Sequence, residues 1–110
     1  MITESAARIV EKAILPVSAH LQADFELAFD RARHIIASMP GFRGATLARG
    51  VESPNSYLLL VEWDSIEAHE IGFRGSPEYQ EWRSLLHHFY EPFPTVEHFI
   101  EVSRTAPGEP

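Results

Sequence analysis

The sequence predicts an α+β domain of the ferredoxin-like class, βαββαβ, with a four-stranded antiparallel sheet covered on one face by two helices. Three observations lead there. Strand and helix signals alternate in that order along 110 residues, a length that suits one domain. Two helix starts are marked, at Asp24 and at Ser76-Pro77, each lying between strand-like segments. The third strand segment, Tyr57–Trp63 (YLLLVEW), is apolar on both of its faces.

The first strand is predicted over Val10–Val17 (VEKAILPV), with Pro16 at a sheet edge or already in the turn. Asp24 then caps a helix that repeats Phe25, Leu27, Ala28, Phe29, Ala32, Ile35 and Ile36 at helical spacing. Met39-Pro40-Gly41-Phe42 ends it, since proline cannot continue the helix and glycine tolerates a left-handed turn. Arg43–Val51 is the second strand, weakened by Gly44 and Gly50, and Ser53-Pro54-Asn55-Ser56 turns the chain into the third. Ser65 caps a short helix over Ile66–Phe73, which Arg74-Gly75 interrupts. The helix restarted at Ser76-Pro77 carries Tyr79, Trp82, Leu85, Leu86 and Phe89 at spacings of three and four. Glu91-Pro92-Phe93-Pro94 is a stiff linker, and Thr95–Val102 (TVEHFIEV) is the last strand. The domain therefore runs over 8–103, with flexible tails at 1–7 and 104–110, the latter polar and proline-rich.

Composition narrows the partners. Nine Lys and Arg stand against sixteen Asp and Glu, a formal charge of −7, so nucleic acid and anionic membranes are not expected. The chain has no cysteine, which removes disulfides, thiolate metal sites and cysteine nucleophiles. Met1–Ala7 is polar, and Leu58–Val61 is far shorter than the roughly 20 apolar residues of a membrane helix, so a cytoplasmic protein is expected. In the third strand, Leu58 and Leu60 point away from Tyr57, Leu59, Val61 and Trp63. An antiparallel strand with one wet face should alternate apolar and polar, so the second face needs a cover. A second copy of the chain is the simplest supplier, and a homodimer is expected.

Pro40-Gly41-Phe42-Arg43-Gly44, Leu59–His69 (LLVEWDSIEAH) and Pro94–Phe99 (PTVEHF) follow one another in an order that resembles the antibiotic biosynthesis monooxygenase family. The likeness extends from about Val10 to Val102. It implies two sheets packed as a dimeric α+β barrel. The family includes oxygenases acting on aromatic polyketides without metal or cofactor, haem degraders and many proteins of unknown activity, and likeness to the first implies that no cofactor is expected. Aligned without gaps, the tryptophan and arginine of the cofactor-free oxygenases fall on Trp63 and Arg83. Their tyrosine position holds His69 and their asparagine position Leu59, a lost polar anchor that argues for a different substrate. The positions that haem degraders need fall near Leu15, Gly72 and Trp82, none of them suitable.

His69 lies at helical spacing from Ile66 and Phe73 and so faces the apolar side, where a histidine could accept a proton from a phenol or enol. The alternative is a core-edge histidine bonded to the backbone. Arg83 could hold the resulting anion by two hydrogen bonds or could be a surface ion-pair partner. Trp63 is either a pocket wall or core packing. His98 shares a strand face with Val96, Ile100 and Val102, which leaves its surroundings open. His87 and His88 are adjacent, about 100° apart on a helix, and cannot chelate one ion together. No His-x-x-x-His, Glu-x-x-His or paired-carboxylate motif is present, so no metal site is expected. The reading assigns catalysis to His69, Arg83 and Trp63, and ligand contact to Leu59, Phe73, Tyr79, Trp82 and His98. Such a site would be a cofactor-independent monooxygenase of small aromatic or quinol-like compounds. The alternatives are a non-oxidative polyketide cyclase or isomerase, and a dimeric small-molecule-binding protein whose pocket is filled by Leu59 and Phe73.

Overall fold

A computed structural model describes residues 8–90 and 94–110. The strands are β1 (Ile9–Pro16), β2 (Phe42–Arg49), β3 (Ser56–Trp63) and β4 (Val96–Ile100), and the helices are α1 (Gln22–Ala37) and α2 (Pro77–Leu86). They form one antiparallel sheet in the order β2-β3-β1-β4. This is the ferredoxin-like split: β3 inserts between β1 and β2, the two strands that α1 connects.

Local differences from the sequence expectation have physical causes. A 3-10 turn at Ala19–Leu21 feeds directly into α1, so the helix begins two residues before Asp24. Asp24 sits in the first turn instead, where its charge favours the helix dipole. Ser76 caps α2 as expected, accepting from the backbone N–H of Tyr79 with Pro77 at the first helical position. Ser65 likewise accepts from the N–H of Ala68. The short helix it opens widens into a π-helix over Ala68–Phe73, a geometry no residue pattern announced. β4 ends at Ile100 rather than Val102, and residues 101–110 form no helix or strand and are exposed throughout. The linker expected at Glu91–Pro94 falls largely outside the described residues, as does the tail at 1–7.

The core lies between the sheet and both helices. Ala13 and Leu15 reach it from β1, Val17 from just past its end, and Tyr57, Leu59, Val61 and Trp63 from β3. Phe25, Phe29, Ala32 and Ile36 come from α1, and Trp82 and Leu86 from α2. The rings interlock edge to face: Phe25 lies 4.9 Å from Tyr57, and Phe29 lies 5.9 Å from Trp82. On the opposite face, register places Leu58 beside Ile14 and Ala48, Leu60 beside Lys12 and Thr46, and Val10 beside Phe99. Leu58 and Leu60 are half-buried within the single chain, whereas Ile14 and Phe99 are exposed by 43% and 48%. The apolar set on this face is therefore incompletely covered. Among the described residues no helix is long and apolar enough to cross a membrane.

The α1-to-β2 turn passes close to the start of the π-helix. Gly41 has φ +84° and accepts a hydrogen bond from the N–H of Asp64 at 2.8 Å. A Cβ there would come within 2.8 Å of the Ala68 Cβ, at the start of the π-helix. Gly41→Ala therefore combines backbone strain with a clash. It is expected to destabilise the fold by about 1–3 kcal/mol in urea unfolding, while Gly44→Ala, which meets backbone strain at φ +158° but no clash, is expected to cost less.

Candidate functional site

The functional candidates gather where the end of β3, the middle of β1, β4 and the π-helix meet. Glu11 stands on β1 with the parity of Ala13 and Leu15, so its carboxylate points under the helices and is 7% exposed. Trp63 is fully buried, and its indole N–H donates to Glu11 Oε1 at 2.9 Å. The π-helix brings His69 over the indole, ring on ring, with centroids 5.6 Å apart and planes 22° apart. Nε2 of His69 lies 3.3 Å from the same Glu11 oxygen, and its Nδ1 lies 2.9 Å from Nε2 of His98. Phe73, one wide turn after His69, packs 5.8 Å from Trp63.

A cavity of about 30 Å³ adjoins this cluster. Its apolar wall includes Leu59, Phe73, Tyr79 and Trp82, and its polar wall is Glu11, His69, Arg74 and His87. The space suits one or two waters and no organic ligand. Wider depressions lie elsewhere. One of about 440 Å³ is on the opposite sheet face, beside Arg8, Thr46, Leu60 and Glu62.

Burial sets the protonation states. It raises Glu11 above the ordinary carboxylate value, opposed by the Trp63 hydrogen bond and the charge of Arg74. Burial lowers His69 to about 3, helped by the charges of Arg74 and His98, so the imidazole is neutral near pH 7. His87 is lowered to about 4 by burial, then by Arg83 and Arg74. Burial also raises the Tyr90 phenol, followed by Tyr79 and Glu11, which keeps it protonated. The buried Glu11–His69 contact thus sets a neutral imidazole beside the carboxyl group and is not an ion pair. Arg74 contributes positive charge at the rim, and its Nε is buried with no hydrogen-bond partner.

The sequence profile of the antibiotic biosynthesis monooxygenase family matches residues 9–85. The chain is 52% identical over 92 residues to the uncharacterized protein YczJ of Bacillus subtilis (strain 168), covering 84% of this chain and 97% of that one. The chain belongs to the antibiotic biosynthesis monooxygenase family. A solved family structure from Bordetella bronchiseptica superposes with a TM-score of 0.84 at 34% identity, over 88% of this chain and 99% of the other. SnoaB, a cofactor-independent oxygenase from Streptomyces nogalater, shares the fold with a TM-score of 0.63 at 24% identity, over 94% and 97% of the two chains.

In this family member the structure brings together His69, Leu59, Phe73, Tyr79 and Trp82 at one cavity, and hydrogen-bonds His98 to His69 from behind. Two expected positions differ. Trp63 is the platform beneath His69 rather than a wall of the cavity, because the π-helix lays the imidazole over it. Arg83 is exposed in a shallow groove with Gln80 and Ser84, outside the cavity, because α2 turns its Trp82 and Leu86 inward instead. Sequence reasoning missed Glu11, Arg74 and His87. Glu11 was detectable: an acid on the strand face of Ala13, Leu15 and Val17 must either be paired or mark a site. Arg74 read only as a helix break, and no spacing signalled that the π-helix would turn its side chain to the cavity.

The lowered histidines make the fold acid-sensitive. Unfolded His69 takes up a proton near the ordinary 6.5, but the folded residue does so only at about 3. Between those values the unfolded state binds the extra proton, so stability is complete above about 6.5 and is lost as pH falls toward 3. His87 acts in the same direction, whereas raised Glu11 favours the fold on the acid side and loses that contribution as pH rises. The urea midpoint is expected to fall from pH 7 to pH 4.5, and His69→Gln to flatten that dependence. An unchanged slope in the variant would show that His69 is not the buried neutral base.

Proposed function

We propose that this family member is a cofactor-independent monooxygenase acting on a small aromatic or quinol-like substrate. The observation that carries this reading is the convergence of Glu11, His69 and Arg74 on one apolar cavity backed by Trp63. Oxygen chemistry without a cofactor needs the substrate to become an electron-rich anion, which requires a proton acceptor out of water and a group to hold negative charge. The Glu11–His69 pair supplies the first. Burial makes the carboxylate more basic than an exposed one, and His69 is neutral with a ring nitrogen 3.3 Å from it.

Arg74 supplies the second. Its buried, unpartnered Nε is the kind of group that an incoming phenolate or enolate oxygen satisfies. The role assigned to Arg83 by resemblance passes to Arg74 on this reading. An anion so held transfers one electron to O₂, and recombination of the radical pair forms a carbon–oxygen bond as a peroxide. Loss of water from a peroxidised CH₂ position leaves a carbonyl, with one oxygen atom retained and the other released as water. The substrate itself supplies all the electrons. The cavity must widen to admit such a molecule, and Phe73, on the π-helix between Gly72 and Arg74-Gly75, is the side chain whose displacement would open it.

A second reading is favoured by the cavity volume: with Leu59 and Phe73 occupying the space, the chain would be a dimeric binding or scaffold protein with no turnover, any ligand being held without chemistry. Oxygen-electrode assays with a panel of acidic phenols and hydroquinones separate the two. The first reading expects O₂ uptake that falls by about 10²-fold or more in both Glu11→Gln and His69→Ala, with Arg74→Ala impaired far more than Arg83→Ala. Calorimetric binding of the same compounds with no O₂ consumed would favour the second reading.

We also propose that the protein is a homodimer joined through the sheet face away from the helices. The supporting observation is the incompletely covered set of Ile14, Leu58, Leu60 and Phe99 on that face. Sedimentation equilibrium at micromolar concentration is expected to give twice the chain mass, and Leu60→Lys to give the single-chain mass with the helical signal intact. A wild-type monomer under those conditions removes the dimer.

A further inference from the structure

The buried cluster does not end at the cavity. It continues in one line from β1 through the π-helix to β4 and back to the protein surface. Glu11 Oε1 lies 3.3 Å from His69 Nε2, His69 Nδ1 lies 2.9 Å from His98 Nε2, and His98 Nδ1 lies 4.0 Å from Glu70 Oε2. Side-chain exposure rises along most of that line: 9% at Glu11, 2% at His69, 15% at His98 and 50% at Glu70. Each histidine presents one ring nitrogen to the neighbour on either side. A satisfied core histidine needs no such continuation, and the expected alternative for His69, a bond to a backbone carbonyl, is not what its side chain makes.

We propose that Glu11, His69, His98 and Glu70 form a proton exit path from the buried cavity to solvent. The proposal rests on the cavity being a proton-abstracting site, as argued above, and assigns roles to His98 and Glu70 that the reaction alone does not require. Before transfer, the proton taken from substrate rests on Glu11, facing an unprotonated His69 Nε2. His69 Nδ1–H donates to His98 Nε2, and His98 carries its other proton on Nδ1. One concerted shift moves the Glu11 proton to His69 Nε2 and the His69 Nδ1 proton to His98 Nε2. His69 stays neutral with its proton now on Nε2, Glu11 becomes a carboxylate, and His98 becomes an imidazolium facing Glu70. Release of the His98 Nδ1 proton to Glu70 and water leaves both rings protonated on Nε2. The reverse shift then carries a solvent proton back to the cavity, where the peroxide takes it as water leaves, and restores the starting tautomers. Along the path only protons move, and no bond between heavy atoms forms or breaks.

The surrounding charges favour passage over storage. Arg74, at the end of the π-helix, opposes a positive charge on His69. Among the described residues, Tyr79 from α2 and His87 and Tyr90 from the segment after it are the other titratable groups around the inner end. Lys12 and Glu97 pair with each other on the opposite face of the sheet and take no part.

The geometry imposes a tautomer rule that ¹⁵N NMR of imidazole-labelled wild-type protein can read without any substrate. When His98 becomes doubly protonated, its Nε2–H must face His69, so His69 Nδ1 must turn from donor to acceptor while His69 remains neutral. The expected result is that the His69 Nδ1 resonance moves from the protonated to the unprotonated range on acidification, in step with the His98 signal. A His69 tautomer that stays the same as His98 titrates overturns the path. The kinetic arm compares O₂ uptake in dilute and concentrated buffer. Glu70→Gln, an exposed substitution, and His98→Gln are expected to slow turnover several-fold and at least tenfold in dilute buffer. Added imidazole or concentrated buffer should restore part of the loss, which repair of a merely structural defect would not do. Full turnover of both variants in dilute buffer overturns the path and leaves the monooxygenase reading standing. Absence of O₂ uptake by the wild type removes that reading, and the tautomer result still decides the path.

Discussion

The indole of Trp63 is the point on which the rest of the site depends. It is fully buried at the end of the central strand, and a buried N–H must find an acceptor. Glu11 on the neighbouring strand is that acceptor, at 2.9 Å. A carboxylate brought under the helices for this purpose is itself costly to bury, and its second neighbour, His69, shares the same oxygen. His69 in turn lies flat on the indole, with His98 closing its other nitrogen. One aromatic side chain therefore couples β1, β3, β4 and the π-helix in a single buried polar network. Phe42 meets the indole edge to face from β2, so the fourth strand is tied in as well.

The π-helix is what turns this packing into a candidate site. Its wider turn places His69 and Phe73 on the same side, both against Trp63, and carries Arg74 to the cavity rim. Gly41 permits it, because only a residue without a Cβ lets the α1-to-β2 turn pass so close to Ala68. The surface ion pairs, such as Arg33–Asp30 and Arg49–Glu26, are exposed and contribute little by comparison. Chemistry and stability are thus concentrated in the same few buried groups. The acid sensitivity of the fold and the basicity available in the cavity have one physical origin, the removal of ionisable side chains from water.

The element order, the start of α2 and the two apolar faces of YLLLVEW were legible in the sequence, because period-two and period-3.6 patterns and proline-bearing caps are local properties. So was the burial of His69, from its spacing to Phe73, although Ile66, the other residue expected on that face, is exposed. The membership of the cavity was only partly legible. Glu11 had the correct strand parity to be found, but parity alone could not say that an indole N–H awaited it. Arg83 matched by alignment position and yet lies outside, since a helix one residue out in rotation turns a neighbour inward instead.

By itself the sequence determined the fold class, the family likeness and the set of side chains able to carry acid–base chemistry, all of which follow from order, spacing and residue type. Tertiary structure alone decided which of them meet. Whether His98 faced core, barrel or pocket, whether Arg74 or Arg83 reached the cavity, and how much space remained there depend on contacts between residues 29 to 58 positions apart, such as His69 with His98 and Glu11 with His69. Such contacts are set by strand register and by the width of one helical turn, and neither leaves a periodic trace in the chain.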